Sequence, residues 1–156
     1  MEIVKDPDKT LSTKSEEIVE IDDKIKDLIK KMWKVLSGVE GVGLAAPQIG
    51  VNLKISVIGF EPTESQLKKN PDLKPIKKMV IINPKILWSS KETIVEKEGC
   101  LSVEGKEIVV PRFEKIHVEY LDENGEKKKL KARGYFARVI QHEIDHLNGY
   151  TIRHYE

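Results

Sequence analysis

The segment GYFARVIQHEIDHLNG, residues 134–149, carries the strongest structural signal in the sequence. Its apolar residues recur at helical spacing and form one stripe along an amphipathic helix: Phe136, Ile140, Ile144 and Leu147. Gly149 follows the stripe, at a position where glycine commonly ends a helix. We therefore predict a helix over about residues 134–148 whose apolar face packs on the core.

Two histidines in this helix are spaced to share a metal ion. His142 and His146 are four residues apart, so their imidazoles lie one turn apart on the same face. Glu143 is rotated by about 100° from His142 and can approach a metal-bound water without being a ligand. Chance gives about 0.01 such matches in a chain of this composition. Two unconnected surface histidines remain the alternative.

A mononuclear catalytic metal needs a third protein ligand and an open position for water. After His146 the only candidate is His154. Cys100 is the better candidate, because the segment EGCLS, residues 98–102, lies beside predicted strands and Gly99 permits close backbone approach. Without the histidine helix, a lone cysteine is more often a small buried apolar residue.

The segment GVGLAAPQIG, residues 41–50, places small residues around one amide side chain. Small residues allow another backbone to come close, and the Gln48 side chain can donate a hydrogen bond. Taken alone, the segment predicts only a glycine-rich loop between a helix and a strand.

A second amphipathic helix is predicted from Asp22 to Gly38. Asp22 suits the N-cap and Gly38 a left-handed position after the last turn. Its apolar residues again follow helical spacing: Ile25, Leu28, Ile29, Met32, Trp33 and Leu36.

Between the helices, β-rich runs alternate with turn residues. Residues 54–60, 79–83, 93–95 and 107–110 predict strands. Alternating apolar residues over 116–120 and 130–132, on either side of Asn124-Gly125, predict a β-hairpin.

Two charged segments have less specific meanings. Residues 61–78 contain three prolines and five lysines, which predicts a mobile surface loop, with a lid over a site as the alternative. The lysines at 127–131 are compatible with an anionic partner, but more typical of a solvated outer strand.

Composition limits the class of protein. The chain has 156 residues, 27 basic and 26 acidic, for a net charge of +1, which argues against nucleic-acid binding by overall charge. It has no apolar run long enough to span a membrane and no apolar block of a signal peptide at its start. One cysteine cannot form an internal disulfide. We expect one globular domain over residues 1–156, located in the cytoplasm.

Taken together, three segments resemble the peptide deformylase family. Its hallmarks are the motifs G-x-G-x-A-A-x-Q, E-G-C-x-S and Q-H-E-x-D-H, which stand here in the same order at residues 41–48, 98–102 and 141–146. The resemblance covers nearly the whole chain. It implies an α+β fold in which antiparallel strands pack against the C-terminal metal-binding helix, with an additional N-terminal helix.

The resemblance implies a metal-dependent hydrolase that removes the N-formyl group from formylmethionine of newly made peptides and releases formate. Glu143 would be the general base and acid, and the Gln48 side chain with the Leu101 N–H would stabilise the oxyanion. The family's metal ligands match Cys100, His142 and His146. One divalent ion is implied, with iron(II) as the native metal, although zinc, nickel and cobalt also suit this donor set.

Substrate contacts are implied as well. The peptide backbone would pair with Val42 and Gly43, and Gly99 would allow close approach. The methionine would enter an apolar pocket beside Tyr135 and Val139. Arg112 matches a position of substrate-side or structural contacts, with a surface ion pair as the alternative. Gln141 and Asp145 would orient the ligands, with a cap or an ion pair on the helix surface as the alternative for Asp145. Beyond the formylmethionyl peptide we expect a transient contact with the ribosome, no nucleic-acid motif, no membrane partner and a monomer.

Two other functions compete with deformylation. One is a peptidase that uses the same His-Glu-x-x-His helix with a conventional downstream ligand. The other is a non-catalytic module in which the metal only fastens the helix to the strands.

Overall fold

The structure is a computed structural model that describes residues 2–156. It contains three α-helices and seven strands, together with short 3₁₀ turns at Lys9–Ser12, Ala46–Ile49 and Ile152–Tyr155. The elements follow in the order α1 (Asp23–Ser37), β1 (Gly43–Ala45), β2 (Ile55–Phe60), α2 (Glu64–Lys69), β3 (Ile76–Ser89), β4 (Thr93–Cys100), β5 (Val103–Phe113), β6 (Lys115–Leu121), β7 (Lys127–Arg133) and α3 (Gly134–Leu147). The predicted α+β class is confirmed.

The strands form two antiparallel sheets. The larger sheet has the order β1-β2-β3-β6-β7, and the smaller one pairs β4 with β5. The predicted hairpin is β6–β7, in which Lys115 lies opposite Arg133 and Leu121 opposite Lys127. Gly125 in its turn has a φ of 81°, a left-handed conformation that glycine adopts without strain. β1 forms one edge of the larger sheet, which leaves its outer backbone groups unpaired by the sheet.

The larger sheet is covered by a helix on each face. α1 packs its predicted apolar stripe, with Met32 fully buried, against Ile55, Val57 and Val80. α3 packs Ile140 and Ile144 against the opposite face, where they join a second apolar cluster. This packing holds α3 against the strands, and the side of α3 that carries His142 and His146 lies near Cys100 at the end of β4. No helix within residues 2–156 is long and apolar enough to cross a membrane.

The ends of α1 are partly as predicted. The Asp22 side chain accepts a hydrogen bond from the Ile25 N–H at 3.0 Å, as an N-cap does. Gly38, however, has a φ of −91°, so the left-handed conformation predicted for it is wrong. The Gly38 N–H still bonds to the Val35 carbonyl at 3.2 Å, and the helix therefore ends without a change of handedness.

The segment 61–78, predicted as a surface loop, contains regular secondary structure. Residues 64–69 form α2, whose start is capped by reciprocal hydrogen bonds between Thr63 and Gln66, and β3 begins as early as Ile76. No residue of this segment lines the cleft described below, so the structure does not support a lid. The strands predicted at 93–95 and 107–110 are longer than expected, and β4 extends to Cys100.

Candidate active site

Three potential metal ligands converge where α3 meets the end of β4. The Nε2 atoms of His142 and His146 are 3.2 Å apart, and the Cys100 Sγ is 3.4 Å from His146 Nε2. All three ligand atoms lie within 4.8 Å of one another. Metal–nitrogen bonds of about 2.0–2.1 Å in tetrahedral geometry place two nitrogen ligands about 3.3 Å apart. The donor set therefore fits a single tetrahedral ion.

Cys100 owes its direction to an irregularity in β4. The pairing of β4 with β5 shifts register between Glu98 and Cys100, and such a bulge re-aims the side chains that follow it. Gly99 lies at this point, but a Cβ there would meet no protein atom within 4 Å. Close approach by the protein's own backbone is thus not what Gly99 provides; instead it forms open cleft wall.

Glu98 is the group that orients His142, a role the sequence analysis did not assign. Its Oε1 accepts a hydrogen bond from His142 Nδ1 at 2.9 Å, which leaves Nε2 directed at the ligand site. The same buried carboxylate accepts two bonds from Arg112, both at 2.9 Å, and one from Arg138 at 2.5 Å. Burial alone would raise the pKa of Glu98, but the hydrogen bonds and charges of Arg112 and His142 hold it well below its usual range.

Arg112 lies behind the ligands and not in the cleft. Its side chain is 4% exposed, and besides Glu98 it binds Asp145 at 2.5 Å. Tyr155, from the last 3₁₀ turn, donates its hydroxyl to the same Asp145 oxygen at 2.7 Å. Of the roles predicted for Arg112, the structural contact is the one that the structure shows, because its guanidinium is engaged in a buried network and lies neither in the cleft nor in a surface ion pair.

The predicted ligand-orienting roles of Gln141 and Asp145 also differ from the structure. Gln141 bonds to the Phe113 backbone through its side-chain oxygen and nitrogen, both at 2.9 Å, and so fastens α3 to β5. Asp145 bonds to Arg112 and Tyr155, and reaches His142 only through Arg112 and Glu98. Neither residue was predictable from its place next to a histidine, since neighbours on a helix point in different directions.

Glu143 is buried beside the ligands and faces the cleft. It is 3% exposed, and its Oε1 accepts a hydrogen bond from Ser56 Oγ at 3.3 Å. Burial raises its pKa to about 7, although the nearby charge of His142 and the Ser56 hydrogen bond act in the opposite direction. A carboxylate with this pKa can take and return a proton near neutral pH.

The two histidines have opposite protonation tendencies. Burial, together with the nearby charge of His142, lowers the pKa of His146, which keeps its imidazole neutral. Burial acts in the same direction on His142, but hydrogen bonds to Cys100 and Glu98 outweigh it and raise its pKa to about 10. The pocket thus favours a positive charge at His142 Nε2, whether a proton or a metal ion.

Gln48 presents its amide nitrogen to the same site. Its Oε1 accepts the Ala45 N–H at 2.9 Å, which fixes the orientation of the amide. The Nε2 then lies 3.2 Å from Ser102 Oγ and 3.8 Å from the Cys100 sulfur. Since Gln48 is only 2% exposed, this donor is held in place before any ligand arrives.

A cleft of about 690 Å³ opens at these groups. Arg112 and the buried ligand His146 lie outside its lining, whereas the other ten residues predicted for the site line it: Val42, Gly43, Gln48, Gly99, Cys100, Leu101, Tyr135, Val139, His142 and Glu143.

The backbone of β1 borders this cleft. The Val42 carbonyl accepts the Gly59 N–H at 2.8 Å, so this carbonyl points into the sheet and is not free for a peptide as predicted. Backbone groups of successive strand residues alternate in direction, and Gly43, opposite Ile58, therefore directs its N–H and C=O to the open edge.

Comparisons with known proteins place these features in a family. The family model described as polypeptide deformylase matches residues 1–155. The peptide deformylase of Picosynechococcus sp. is 43% identical over 142 residues, which are 91% of this chain and 71% of the relative. That of Dictyoglomus thermophilum is 42% identical over 151 residues, 97% of this chain and 89% of the relative.

The solved structures to which this chain is similar are also peptide deformylases. The peptide deformylase of Ehrlichia chaffeensis in complex with actinonin superposes with a TM-score of 0.89 at 40% identity and covers 100% of this chain and 88% of that one. The Met-Ala-Ser-bound class I type b enzyme from Acinetobacter baumannii has a TM-score of 0.92 at 29% identity, over 100% of this chain and 98% of that one.

Proposed function

This chain belongs to the peptide deformylase family, and on that premise we propose that it removes the formyl group from the formylmethionine of newly made peptides. The products are formate and a free amino terminus. Residues 1–156 would act as one catalytic domain, and its substrate partner is the N-formylmethionyl peptide. The monomeric state and the transient contact with the ribosome stay predictions.

Cys100, His142 and His146 would hold one divalent metal ion, with iron(II) as the native metal and zinc, nickel or cobalt as possible substitutes. When bound, the ion lowers the pKa of a coordinated water and polarises the formyl carbonyl. Glu98 supports this arrangement because its bond to His142 Nδ1 frees Nε2 for the metal. His154, the other candidate ligand, instead bonds through Nδ1 to the Thr151 backbone N–H at 3.0 Å.

Glu143 would carry the proton. It accepts a proton from the attacking water and delivers it to the leaving amine. Its burial and its pKa of about 7 suit both steps, since the carboxylate gains and loses a proton at similar cost. Ser56 and Gly43 restrict the position of its carboxylate, one by a hydrogen bond and the other by close contact.

Gln48 and Leu101 would stabilise the charge that develops on the formyl oxygen. The Gln48 amide is fixed by Ala45 and directed toward the Cys100 sulfur. Leu101 follows Cys100 directly and lines the same cleft, and its N–H would be the second donor. Removing one donor of this kind typically costs about a hundredfold or more in rate.

The peptide would bind as an added strand on the edge of β1. Gly43 offers its outward N–H and C=O to the substrate backbone, and Val42 contributes its side chain. Gly99 on the opposite wall leaves room for that backbone. The methionine side chain would lie against Tyr135 and Val139, which are two turns and one turn before His142, respectively, and line the cleft.

The observation that carries this proposal is the convergence of the Cys100 Sγ with two imidazole Nε2 atoms beside buried Glu143. A conventional peptidase ligand is not needed, and a metal that only fastened the helix would not need a buried carboxylate beside it. The test offers a formyl-Met tripeptide and its acetyl counterpart to the metal-loaded enzyme. We expect formate from the formyl peptide and no reaction of the acetyl peptide. Cleavage of internal peptide bonds without formate would indicate a peptidase, and no turnover of either would indicate the non-catalytic module.

A further inference from the structure

We propose that the part of the larger sheet that α1 leaves open, over β3, β6 and β7, binds single-stranded RNA. This surface, the basic face, lies at the β3–β6–β7 end of the sheet, on the side opposite α3. Its residues are Lys85, Trp88, Lys115, His117, Glu119, Lys127, Lys129, Lys131 and Arg133.

Strand register places these residues together. Directly opposite residues share a face, and the pairs Ile116–Ala132 and Val118–Leu130 belong to the cluster under α3. The alternate pairs therefore point the other way: Lys115–Arg133, His117–Lys131, Glu119–Lys129, and, across β3, Lys85–Glu119 and Trp88–His117. Along β7 the cations at every second residue follow one another about 7 Å apart.

The charge of this face is strongly one-sided. It carries six cations and one carboxylate, a net charge of +5, whereas the whole chain has a net charge of +1. The remainder of the protein thus has a net charge of −4, so the overall net charge gives no indication of the basic face. Glu119 is paired with Lys127 at 3.2 Å. Within residues 2–156, Lys115, Lys129 and Lys131 are exposed and form no ion pair.

Lys128, on the same strand, differs from these lysines because carboxylates neutralise its charge. Its side chain belongs to the opposite face and lies 3.8 Å from Asp122 and 3.6 Å from Glu126. Protection of an edge strand by lysines requires only scattered charge. The basic face has more unpaired lysines than the protection of an edge strand requires. A polyanion is the kind of ligand whose charge complements them.

An aromatic pair in the basic face indicates bases as well as phosphates. Trp88 is 47% exposed, and its ring lies 4.7 Å from that of His117 between the centroids. Exposed aromatic rings among unpaired cations are the usual platform for single-stranded nucleic acid, because bases stack on the rings while lysines contact the backbone. An acidic protein segment or a lipid surface would use the charge but would not need this pair.

The basic face and the cleft lie on different sides of the protein. α3 and its ligands cover one face of the sheet and the RNA would occupy the other, so bound RNA leaves the cleft open. The choice of RNA over DNA rests on the proposed function, since newly made peptides emerge from an RNA-containing machine. The binding itself does not depend on deformylation and is measured separately from it.

The first experiment measures binding of a fluorescent 12-nucleotide oligo(A) RNA to the metal-loaded protein as a function of salt. Replacing Lys115, Lys129 and Lys131 together by Gln should weaken binding at least about tenfold and reduce the salt slope by about 2. The matched control replaces Lys68, Lys69 and Lys74 by Gln, which changes the net charge equally but lies outside the basic face. Equal loss in both variants would overturn the proposal, as would no binding by the unmodified protein. Both variants should deformylate a formyl-Met tripeptide at the normal rate.

The second experiment tests base stacking. Trp88→Ala should weaken RNA binding about fivefold or more, while Leu87→Ala, which removes a side chain of similar exposure, should have little effect. Polyglutamate, anionic vesicles and the matching oligo(dA) serve as the other probes. If any of them binds as tightly as the RNA, or if Trp88→Ala leaves RNA binding unchanged, the assignment to single-stranded RNA is wrong.

Discussion

The carboxylate of Glu143 lies directly against the backbone of Gly43. A Cβ atom on Gly43 would be 2.6 Å from Glu143 Oε2 and 2.9 Å from its Cδ, distances at which one of the two groups must move. Glycine thus matters here for space and not for backbone conformation, because a larger residue would displace the end of the Glu143 side chain. The contact joins the edge strand that borders the cleft to the residue that we propose as its proton carrier.

Gly43→Ala should therefore displace the Glu143 carboxylate. We expect kcat for deformylation to fall about a hundredfold, the usual scale for loss of a positioned general base, with the metal content unchanged. Gly99→Ala is the matched control, since a Cβ there meets no protein atom and projects into cleft space. It should raise KM more than it lowers kcat. Equal kcat values for the Gly43→Ala variant and the unmodified enzyme would show that the contact is not needed.

Glu98 should be essential for metal retention. Glu98→Gln removes the charge shared by Arg112, Arg138 and His142, and breaking a buried ion pair typically costs about 3–5 kcal/mol of stability. Metal affinity should fall about 10–100-fold, measured by competition with a chelator. Glu96→Gln is the control, because Glu96 is exposed and lies 3.6 Å from Arg138. If both variants retain metal equally, Glu98 does not orient His142.

Cys100 should behave as a metal ligand. Cys100→Ala leaves two imidazoles, and we expect the metal-to-protein ratio after dialysis to fall well below that of the unmodified protein, which should be one. Chelation of the unmodified protein should also lower its Tm, because metal binding stabilises only the folded chain. An unchanged ratio in the variant would identify Cys100 as a core residue.

The Tyr155 hydroxyl should lose its proton at an unusually high pH. Burial, followed by its hydrogen bond to Asp145, raises its pKa from 10.0 to about 12. Between pH 10 and about 12 the folded state keeps this proton, whereas the unfolded chain has lost it. The contribution of Tyr155 to the stability of the fold is therefore complete below pH 10 and is lost as the pH rises through about 12. Tyrosinate absorbance of the native protein should include a step near pH 12 that is missing in Tyr155→Phe. Persistence of that step in the variant would contradict the assignment.

The features that local sequence decides were predicted well. The period of α3 and the Asn124-Gly125 turn depend on neighbouring residues, and both predictions are confirmed. The spacing of His142 and His146 likewise follows from helical geometry alone. The short helix α2 was missed although its capping pair, Thr63 and Gln66, was visible in the sequence, because three prolines and five lysines outweighed it.

Long-range contacts explain the rest. Glu98 belongs to the E-G-C-x-S motif, but its bonds to Arg138 and His142 join residues 40 and 44 positions apart, and no pattern predicts such pairs. No sequence pattern around Ser56 indicates that its hydroxyl bonds to Glu143. The substrate-side role of Arg112 followed from the family resemblance, which does not reveal the two carboxylates that make its burial favourable here.

The most direct test of the central claim is the activity and metal content of Glu143→Gln, measured on the same preparation with a formyl-Met tripeptide. The three ligands are untouched in this variant, and the amide keeps the shape of the carboxylate but cannot accept the proton. We predict a metal content equal to that of the unmodified enzyme and a loss of formate release of about a hundredfold or more. Full activity at equal metal content would contradict the claim that Glu143 carries the proton.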